Sequence, residues 1–153
     1  RQLFEAQLKL AQELDKPVIF HSRECGEEVL EVARPPAPRL RGVKGVFHCF
    51  GGSKKYLKRI LEAGFYVGFT GQITYVPDRA AVAREVPLDR LLIETDCPYM
   101  PPYAKATGGK LRSEPADVIL IGQFHAKERA TQLTAVEQAT TANVEKLFGM
   151  SLK

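Results

Sequence analysis

The sequence predicts an α/β fold in which helices cover a parallel β-sheet. Short, nearly continuous apolar runs alternate along the chain with segments of helical periodicity. The runs start about 20 to 30 residues apart, which is the length of one strand–helix unit. Strands buried on both faces read as continuous apolar runs, and parallel neighbours need a crossover between them. The pattern therefore indicates a parallel sheet with right-handed crossovers.

The composition is that of one folded globular domain. The chain has 153 residues, of which 44% are hydrophobic and 26% charged, and we expect residues 1–153 to form a single domain. No apolar run approaches the roughly 18 residues of a membrane span, so no membrane partner is expected. The three cysteines form no Cys-x-x-Cys pair, which favours a reducing, cytoplasmic location. A net charge of +4 permits an anionic partner such as nucleic acid without requiring one.

The first predicted element is an amphipathic helix over residues 1–14, and predicted strands follow it. The apolar side chains of this helix are Leu3, Phe4, Leu8, Leu10, Ala11 and Leu14. Because the chain begins with Arg1 inside this helix, a fragment or a processed product is expected. The apolar runs predict strands at residues 17–21, 45–50, 65–70 and 90–96.

Further helices are predicted at residues 26–33, 53–63 and 78–86, and two more close the chain. Ser53 is the expected N-cap of the second of these helices and Gly64 its C-terminal stop. Pro115 fits the first turn of one C-terminal helix. A capping box at residues 134–137 opens the other, whose buried side chains are expected to be Val136, Ala139, Val144 and Leu147.

Two loops stand out between these elements. Residues 35–38, Pro-Pro-Ala-Pro, form a stiff loop between two units. Residues 97–113 are rich in Pro, Gly, Tyr and Lys, and a loop of this length in a compact domain is usually functional or disordered.

Polar side chains with metal-ligand chemistry stand at the C-terminal ends of three predicted strands. They are His21, His48 and Asp96. The carboxyl ends of parallel strands meet at one edge, and the strand alternation places these side chains on faces that can all point inward, so they should converge. Imidazole and carboxylate suit divalent ions, which lower the pKa of bound water. Asp96 can also accept a proton from that water as general base.

Each neighbouring residue has a structural interpretation beside the functional one. Arg23 either grips a substrate phosphate or pairs with Glu24 or Glu27. Glu94 either supports a metal ligand or pairs with a core arginine. Cys49 is a candidate nucleophile, but its strand face is opposite to that of His48, which favours a buried structural thiol.

Other residues leave two interpretations open. His125 lies in a predicted helix and is expected at the surface or in the packing. The loop 51–55, Gly-Gly-Ser-Lys-Lys, either holds a phosphate at a helix N-terminus or is a glycine turn with solvated lysines. Tyr99 and Tyr103 either stack on bases or anchor their own loop.

Several motifs, taken together, resemble the TatD family of metal-dependent deoxyribonucleases. They match in order and spacing over essentially the whole chain. The motifs are His21-Ser22-Arg23, Phe47-His48-Cys49-Phe50 followed by Gly52, Val67-Gly68-Phe69-Thr70-Gly71, Glu94-Thr95-Asp96-Cys97-Pro98, Ser113-Glu114-Pro115 and Thr141-Ala142-Asn143.

This resemblance implies a TIM (βα)8 barrel of the metal-dependent hydrolase type, of which the chain supplies about strands 5–8 and their helices. It implies hydrolysis of phosphodiester bonds in DNA, as a 3′–5′ exonuclease, with two divalent ions (Mg, Mn or Zn). By the same resemblance His21 and His48 hold one ion, while Asp96 holds the other and assists the attacking water. Substrate-binding candidates are Arg23, Arg112 and Glu114.

The sequence also departs from the family pattern. Ser113 stands where the family usually has Asn, and Cys97 where Ala is commoner. A complete barrel needs eight strands and about 250 residues, and the family's paired histidines and bridging glutamate have no counterpart here. The chain thus resembles the C-terminal half of the enzyme and is expected to need the N-terminal half. The alternatives are an amide or ester hydrolase of the same barrel type, and an inactive half-barrel fragment.

Overall fold

The computed structural model describes residues 1–33, 42–102 and 112–151. The helices are α1 (Gln2–Glu13), α2 (Gly26–Ala33), α3 (Lys54–Glu62), α4 (Pro77–Ala83), α5 (Val118–Glu128) and α6 (Leu133–Phe148). The strands are β1 (Val18–Phe20), β2 (Gly45–Phe47), β3 (Tyr66–Phe69) and β4 (Leu91–Ile93). Short 3-10 turns span Gly71–Thr74, Leu88–Arg90 and Pro115–Asp117. The predicted Pro-rich loop at 35–38, most of the predicted loop at 97–113 and Tyr103 lie outside the described residues.

The four strands form one parallel sheet in the order β1-β2-β3-β4. Val18 pairs with Gly45, Val46 with Tyr66, and Val67 with Leu91. The prediction of an α/β fold on a parallel sheet is confirmed. Sequential order without reversal is the order of strands in a βα barrel, whereas in a doubly wound sheet the order reverses at a switch point.

One face of the sheet carries the main hydrophobic core. Phe20 stacks on Phe47 with ring centroids 4.8 Å apart, and Phe65 meets Phe47 edge-on at 5.6 Å. Helical side chains complete this core, among them Leu8, Leu30, Leu57, Ile60 and Ile121. This packing fixes the strands against α1, α2, α3 and α5.

The opposite face is covered by α6. Val46, Tyr66 and Leu92 alternate along their strands with core residues of the first face, and they pack against Leu147. The buried Asn143 donates from Nδ2 to the carbonyl oxygens of Leu88 and Leu91, at 2.7 and 2.8 Å. Helix α6 therefore ties down the end of the sheet where β4 begins and leaves the other end open.

Burial of both strand faces is confirmed for β2 and β3, whose residues are all buried. Strand β1 is different, because it is the edge of the sheet, and Ile19 is 60% exposed. The apolar side chains predicted for α1 are likewise only partly buried. Leu8 is fully buried, whereas Leu3, Leu10 and Leu14 are exposed.

Most helix boundaries follow the sequence signals, and two do not. The predicted 26–33 helix is confirmed, and Ser53 caps α3 by accepting the Tyr56 N–H at 3.2 Å. Gly64 after α3 has φ +87°, a conformation that favours glycine. Helix α4 ends at Ala83, three residues before the predicted end. The predicted capping box at 134–137 is wrong, because α6 begins at Leu133 without a side-chain cap.

In the ranges that the structure describes, no helix combines the length and the apolar character needed to cross a membrane.

Candidate functional site

The carboxyl ends of the strands open into a cleft of about 770 Å³. His21, His48 and Asp96 all line it. The predicted convergence of these side chains is therefore present in the structure, while their role as ligands stays a prediction. The remaining lining residues include Ser22, Arg23, Glu24, Glu27, Cys49, Gly51, Gly52, Ser53, Gln72, Arg79 and Met100.

His48 is the most strongly fixed of the three predicted ligands. Its Nδ1 donates to Glu94 Oε2 at 2.8 Å, and its Nε2 lies 3.1 Å from Asp96 Oδ1. The hydrogen bond to Glu94 raises the pKa of His48, and the charges of Glu94 and Asp96 add to this increase against the opposing effect of burial. The imidazole is thus oriented from both sides by carboxylates.

Glu94 is held by two further features. Its Oε1 accepts the backbone N–H of Cys49 at 2.7 Å. A side chain at Gly68 would place its Cβ 2.5 Å from the same oxygen, so this strand position needs glycine. Of the two interpretations of Glu94, its contacts favour support of a metal ligand over pairing with a core arginine.

The residues present fit a divalent ion in their chemistry but are few for a complete site. His48 Nε2 and Asp96 Oδ1 lie 3.1 Å apart, so an imidazole nitrogen and a carboxylate oxygen, both common ligands of divalent ions, face the same part of the cleft. The rings of His21 and His48 have centroids 5.7 Å apart. Across the described part of the chain, no three His, Cys, Asp or Glu side chains form a group that could hold an ion.

Cys49 differs from its prediction. It lines the cleft and is only partly buried, so the inference from opposite strand faces is wrong. Strand β2 ends at Phe47, and Cys49 has φ +47°, so the alternation no longer applies there. Burial raises the pKa of the Cys49 thiol, and its Sγ lies 3.6 Å from Thr70 Oγ1. A raised pKa reduces the thiolate fraction, which argues against a nucleophile.

The three substrate-binding candidates divide between the cleft and the surface outside it. Arg23 lines the cleft, and no ion pair holds it within the described ranges, since Glu27 pairs with Arg59 instead. Arg112 and Glu114 are exposed and do not line the cleft. Glu114 takes part in a capping box with Asp117, so the structure gives it a helix-capping contact and leaves its substrate role a prediction.

Ser113 shows what the unusual residue before the Glu-Pro pair does. It is buried, its Oγ donates to Asp117 Oδ2 at 3.2 Å, and its N–H donates to the Pro98 carbonyl at 3.0 Å. These contacts join the segment after β4 to the turn that precedes α5.

The glycine loop after β2 lines the cleft with Gly51, Gly52 and Ser53, and two of its polar side chains already have partners. Ser53 Oγ caps α3, and Lys54 pairs with Glu85 at 2.7 Å. Tyr99 is 72% exposed and does not line the cleft, so its predicted stacking role stays a prediction.

His125 lies in the packing and not at the surface. It is 1% exposed and its ring meets Phe69 at 5.8 Å. Burial lowers the pKa of His125 to about 3, with a smaller contribution from Arg129. The histidine is neutral in the fold at neutral pH.

The sequence did not single out Arg79, Gln72 or Met100 as cleft residues. Gln72 Nε2 donates to Met100 Sδ at 2.6 Å, and the two residues are separated by 28 positions. Arg79 lies on α4, a short helix without a distinctive motif. A contact between distant segments leaves no local signal, so only the fold could reveal these residues.

Comparisons with known proteins place the chain among metal-dependent hydrolases. A family described as TatD related DNase matches residues 1–149. The 3′-5′ ssDNA/RNA exonuclease TatD of Citrobacter rodentium is 39% identical over 156 residues, covering 98% of this chain and 58% of that protein. An uncharacterized metal-dependent hydrolase of Bacillus subtilis, YabD, is 33% identical over 150 residues, covering 97% of this chain and 57% of that protein.

Solved structures show the same relationship. The crystal structure of YJJV, a TatD homolog from Escherichia coli, superposes with a TM-score of 0.82 at 29% identity, covering 95% of this chain and 54% of that one. A TatD-family hydrolase from Entamoeba histolytica gives a TM-score of 0.78 at 25% identity, covering 92% of this chain and 54% of that one. The chain spans about half the length of the curated relatives it matches. Which barrel strands it represents stays a prediction.

Proposed function

Because the chain belongs to the TatD-related DNase family, we propose that it carries part of the active site of a divalent-metal-dependent hydrolase that cleaves phosphodiester bonds in DNA from the 3′ end. The observation that carries this proposal is the position of His48 between Glu94 and Asp96, in an open cleft that His21 also lines. Relatives named as ssDNA/RNA exonucleases support the substrate class.

In this proposal His21 and His48 hold one divalent ion and Asp96 a second. Mg, Mn and Zn all suit these ligands. Such ions, when bound, lower the pKa of water and neutralise charge on the phosphoryl group. Glu94 keeps the proton on Nδ1 of His48, so that the lone pair of Nε2 faces the side of Asp96.

Asp96 and Arg23 have the remaining proposed roles in the cleft. A carboxylate oxygen of Asp96 accepts the proton of the attacking water as general base. Arg23, whose guanidinium has no ion pair within the described ranges, binds the substrate phosphate with its planar set of N–H donors.

We also propose that residues 1–153 are a single domain, equivalent to about strands 5–8 of the barrel, and that the other strands supply the remaining metal ligands. The exposed edge at Ile19 and the absence of a three-ligand group within 1–33, 42–102 and 112–151 support this arrangement. A cytoplasmic location stays a prediction, resting on the three free cysteines.

Nucleotide release from a single-stranded oligonucleotide tests the proposal. A protein that contains residues 1–153 together with the remaining strands of the barrel is incubated with a 5′-labelled oligonucleotide and MgCl2 or MnCl2, and the products are resolved by length. Stepwise shortening from the 3′ end, lost in EDTA, is the expected result. Hydrolysis of an amide, ester or lactone without oligonucleotide cleavage would establish the alternative hydrolase instead. If the complete barrel also turns over neither class of substrate, the proposed hydrolase function fails and the alternative of an inactive half-barrel is favoured.

A further inference from the structure

Arg79 is a cleft residue whose guanidinium forms no ion pair with any residue that the structure describes. It lies on α4 and lines the same cleft as His48 and Asp96. No carboxylate in the described ranges lies within ion-pair distance of its guanidinium. Arg84, the residue directly after the same helix, differs in pairing with Glu128 at 3.1 Å.

The guanidinium of Arg79 is nevertheless held in place. Its Nη1 donates to the carbonyl oxygen of Phe50 at 3.3 Å. The group lies against Gly51, where a Cβ would overlap the guanidinium nitrogens. Because an arginine has five N–H donors, this anchoring leaves most of them available to a ligand in the cleft.

Two guanidinium groups that line the cleft, those of Arg23 and Arg79, have no ion pair within the described ranges and suit an anionic ligand. Among the acidic lining residues, Glu27 pairs with Arg59, and Asp96 lies against His48. Glu24 is the remaining acidic residue of the described chain that lines the cleft. An oriented guanidinium in a cleft is suited to a phosphate, which it can bind through two parallel N–H donors.

We propose that Arg79 is a phosphate-binding residue of this cleft that holds a backbone phosphate of a nucleic-acid strand. That the phosphate belongs to a nucleic acid rests on the proposed nuclease function. That Arg79 binds a phosphate does not rest on it. Gly51 contributes to the same phosphate-binding site, since the lack of a side chain there lets the Arg79 guanidinium lie against the loop that follows β2. A larger residue there would displace the group without removing its charge.

Binding of a labelled oligonucleotide in EDTA, which prevents cleavage, measures this contact. The probe is a fluorescein-labelled ten-nucleotide oligothymidylate, and the readout is anisotropy at several NaCl concentrations. Arg79→Gln should weaken binding about tenfold, as expected for loss of a charge-assisted hydrogen bond. It should also reduce the slope of log affinity against log salt by about 0.7, the value for one lost phosphate contact on a single strand.

Two variants and a control make this result specific. Gly51→Ala should weaken binding in the same direction as Arg79→Gln while keeping the net charge. Lys58→Gln removes one positive charge from an exposed side chain that pairs with Glu62 outside the cleft, and it should leave affinity within about twofold of wild type. Circular dichroism of each variant verifies that it is folded.

A titration with inorganic phosphate separates this proposal from the nuclease function. Phosphate should shift the Nε–Hε resonance of Arg79 in a ¹⁵N spectrum of the wild-type protein. If phosphate shifts this resonance but oligonucleotides neither bind nor are cleaved, the phosphate site stands and the nuclease function fails. If phosphate leaves it unmoved, or if Arg79→Gln and Lys58→Gln weaken oligonucleotide binding equally, the assignment of Arg79 is overturned.

Discussion

Strands β1 and β2 are each followed directly by a histidine, but the two histidines have different surroundings. Ile19 pairs with Val46 and Phe20 with Phe47, so His21 and His48 follow their strands at equivalent positions. His48 is fixed by Glu94 and Asp96, whereas His21 is exposed and meets only the ring of His48 in the described structure. The interior strand provides neighbours that the edge strand lacks. Equivalent sequence positions therefore indicate where ligands lie, but not how firmly they are held.

The largest expected effect comes from the carboxylate that faces His48. Asp96→Asn keeps the shape of the side chain but removes the general base, so turnover of an oligonucleotide should fall about 10²- to 10⁴-fold. Asp89→Asn is the matched control, because Asp89 is exposed in the turn before β4, away from the cleft. Equal activity of wild type and Asp96→Asn in a gel assay of product length would remove Asp96 from the mechanism.

The support of His48 by Glu94 predicts a smaller, specific effect on metal affinity. Glu94→Gln should weaken Mn²⁺ binding about 10- to 100-fold, the usual range for loss of a partner behind a metal-bound histidine. Isothermal titration calorimetry measures the affinity. Glu24→Gln is the control, since Glu24 lines the cleft after β1 and contacts neither imidazole in the described structure. Similar losses in both variants would mean that only the overall charge of the cleft matters.

His125 extends the comparison to a third environment, in which the imidazole forms no ion pair with a carboxylate of the described residues. Its folded pKa is about 3, below the usual 6.5, and its Nε2 has no hydrogen-bond partner within the described ranges. At pH values between about 3 and 6.5 the imidazole is protonated in the unfolded chain but neutral in the folded one. The free energy of unfolding therefore falls as the pH decreases through this range. From pH 7 to pH 5 this contribution should cost about 2 kcal/mol.

Urea denaturation at the two pH values measures this effect. His125→Phe keeps an aromatic ring beside Phe69 and removes the titrating group. Its loss of stability between pH 7 and pH 5 should be about 2 kcal/mol smaller than that of the wild type. An unchanged pH dependence in the variant would show that His125 is protonated in the fold.

The smallest effects compare the two strands directly through paired apolar residues. Val46→Ala removes methyl groups that pack against Leu147 and should cost about 1 to 2 kcal/mol of unfolding free energy. Ile19→Ala, at the paired position on β1, should cost about 0.5 kcal/mol or less, because Ile19 is 60% exposed. A loss at Ile19 as large as that at Val46 would mean that another surface covers β1.

The elements and the location of the cleft could be predicted from the sequence because they depend on local patterns. Apolar runs marked the four strands, and Ser53 with Gly64 marked both ends of α3. His21, His48 and Asp96 were found because parallel strands bring their carboxyl ends together.

The features that the sequence did not predict depend on contacts between distant residues or on unusual backbone conformations. His48 and the Glu94 side chain that it contacts lie 46 positions apart. No local sequence pattern around Glu94 shows whether it pairs with this histidine or with a core arginine. The left-handed conformation at Cys49 ends the strand alternation two residues after β2. The Thr-x-x-Glu pattern at 134–137 predicted the wrong start for α6, which begins at Leu133 without a side-chain cap.

The proposed function depends most on His48 and Asp96 being ligands of two neighbouring divalent metal ions. Crystals grown with MnCl2 and measured at the manganese absorption edge test it directly. We expect one anomalous peak about 2.1 to 2.3 Å from His48 Nε2 and a second peak at a similar distance from a carboxylate oxygen of Asp96. A map without a peak in the cleft at saturating Mn²⁺, with His48 Nε2 still 3.1 Å from Asp96 Oδ1, would contradict both assignments.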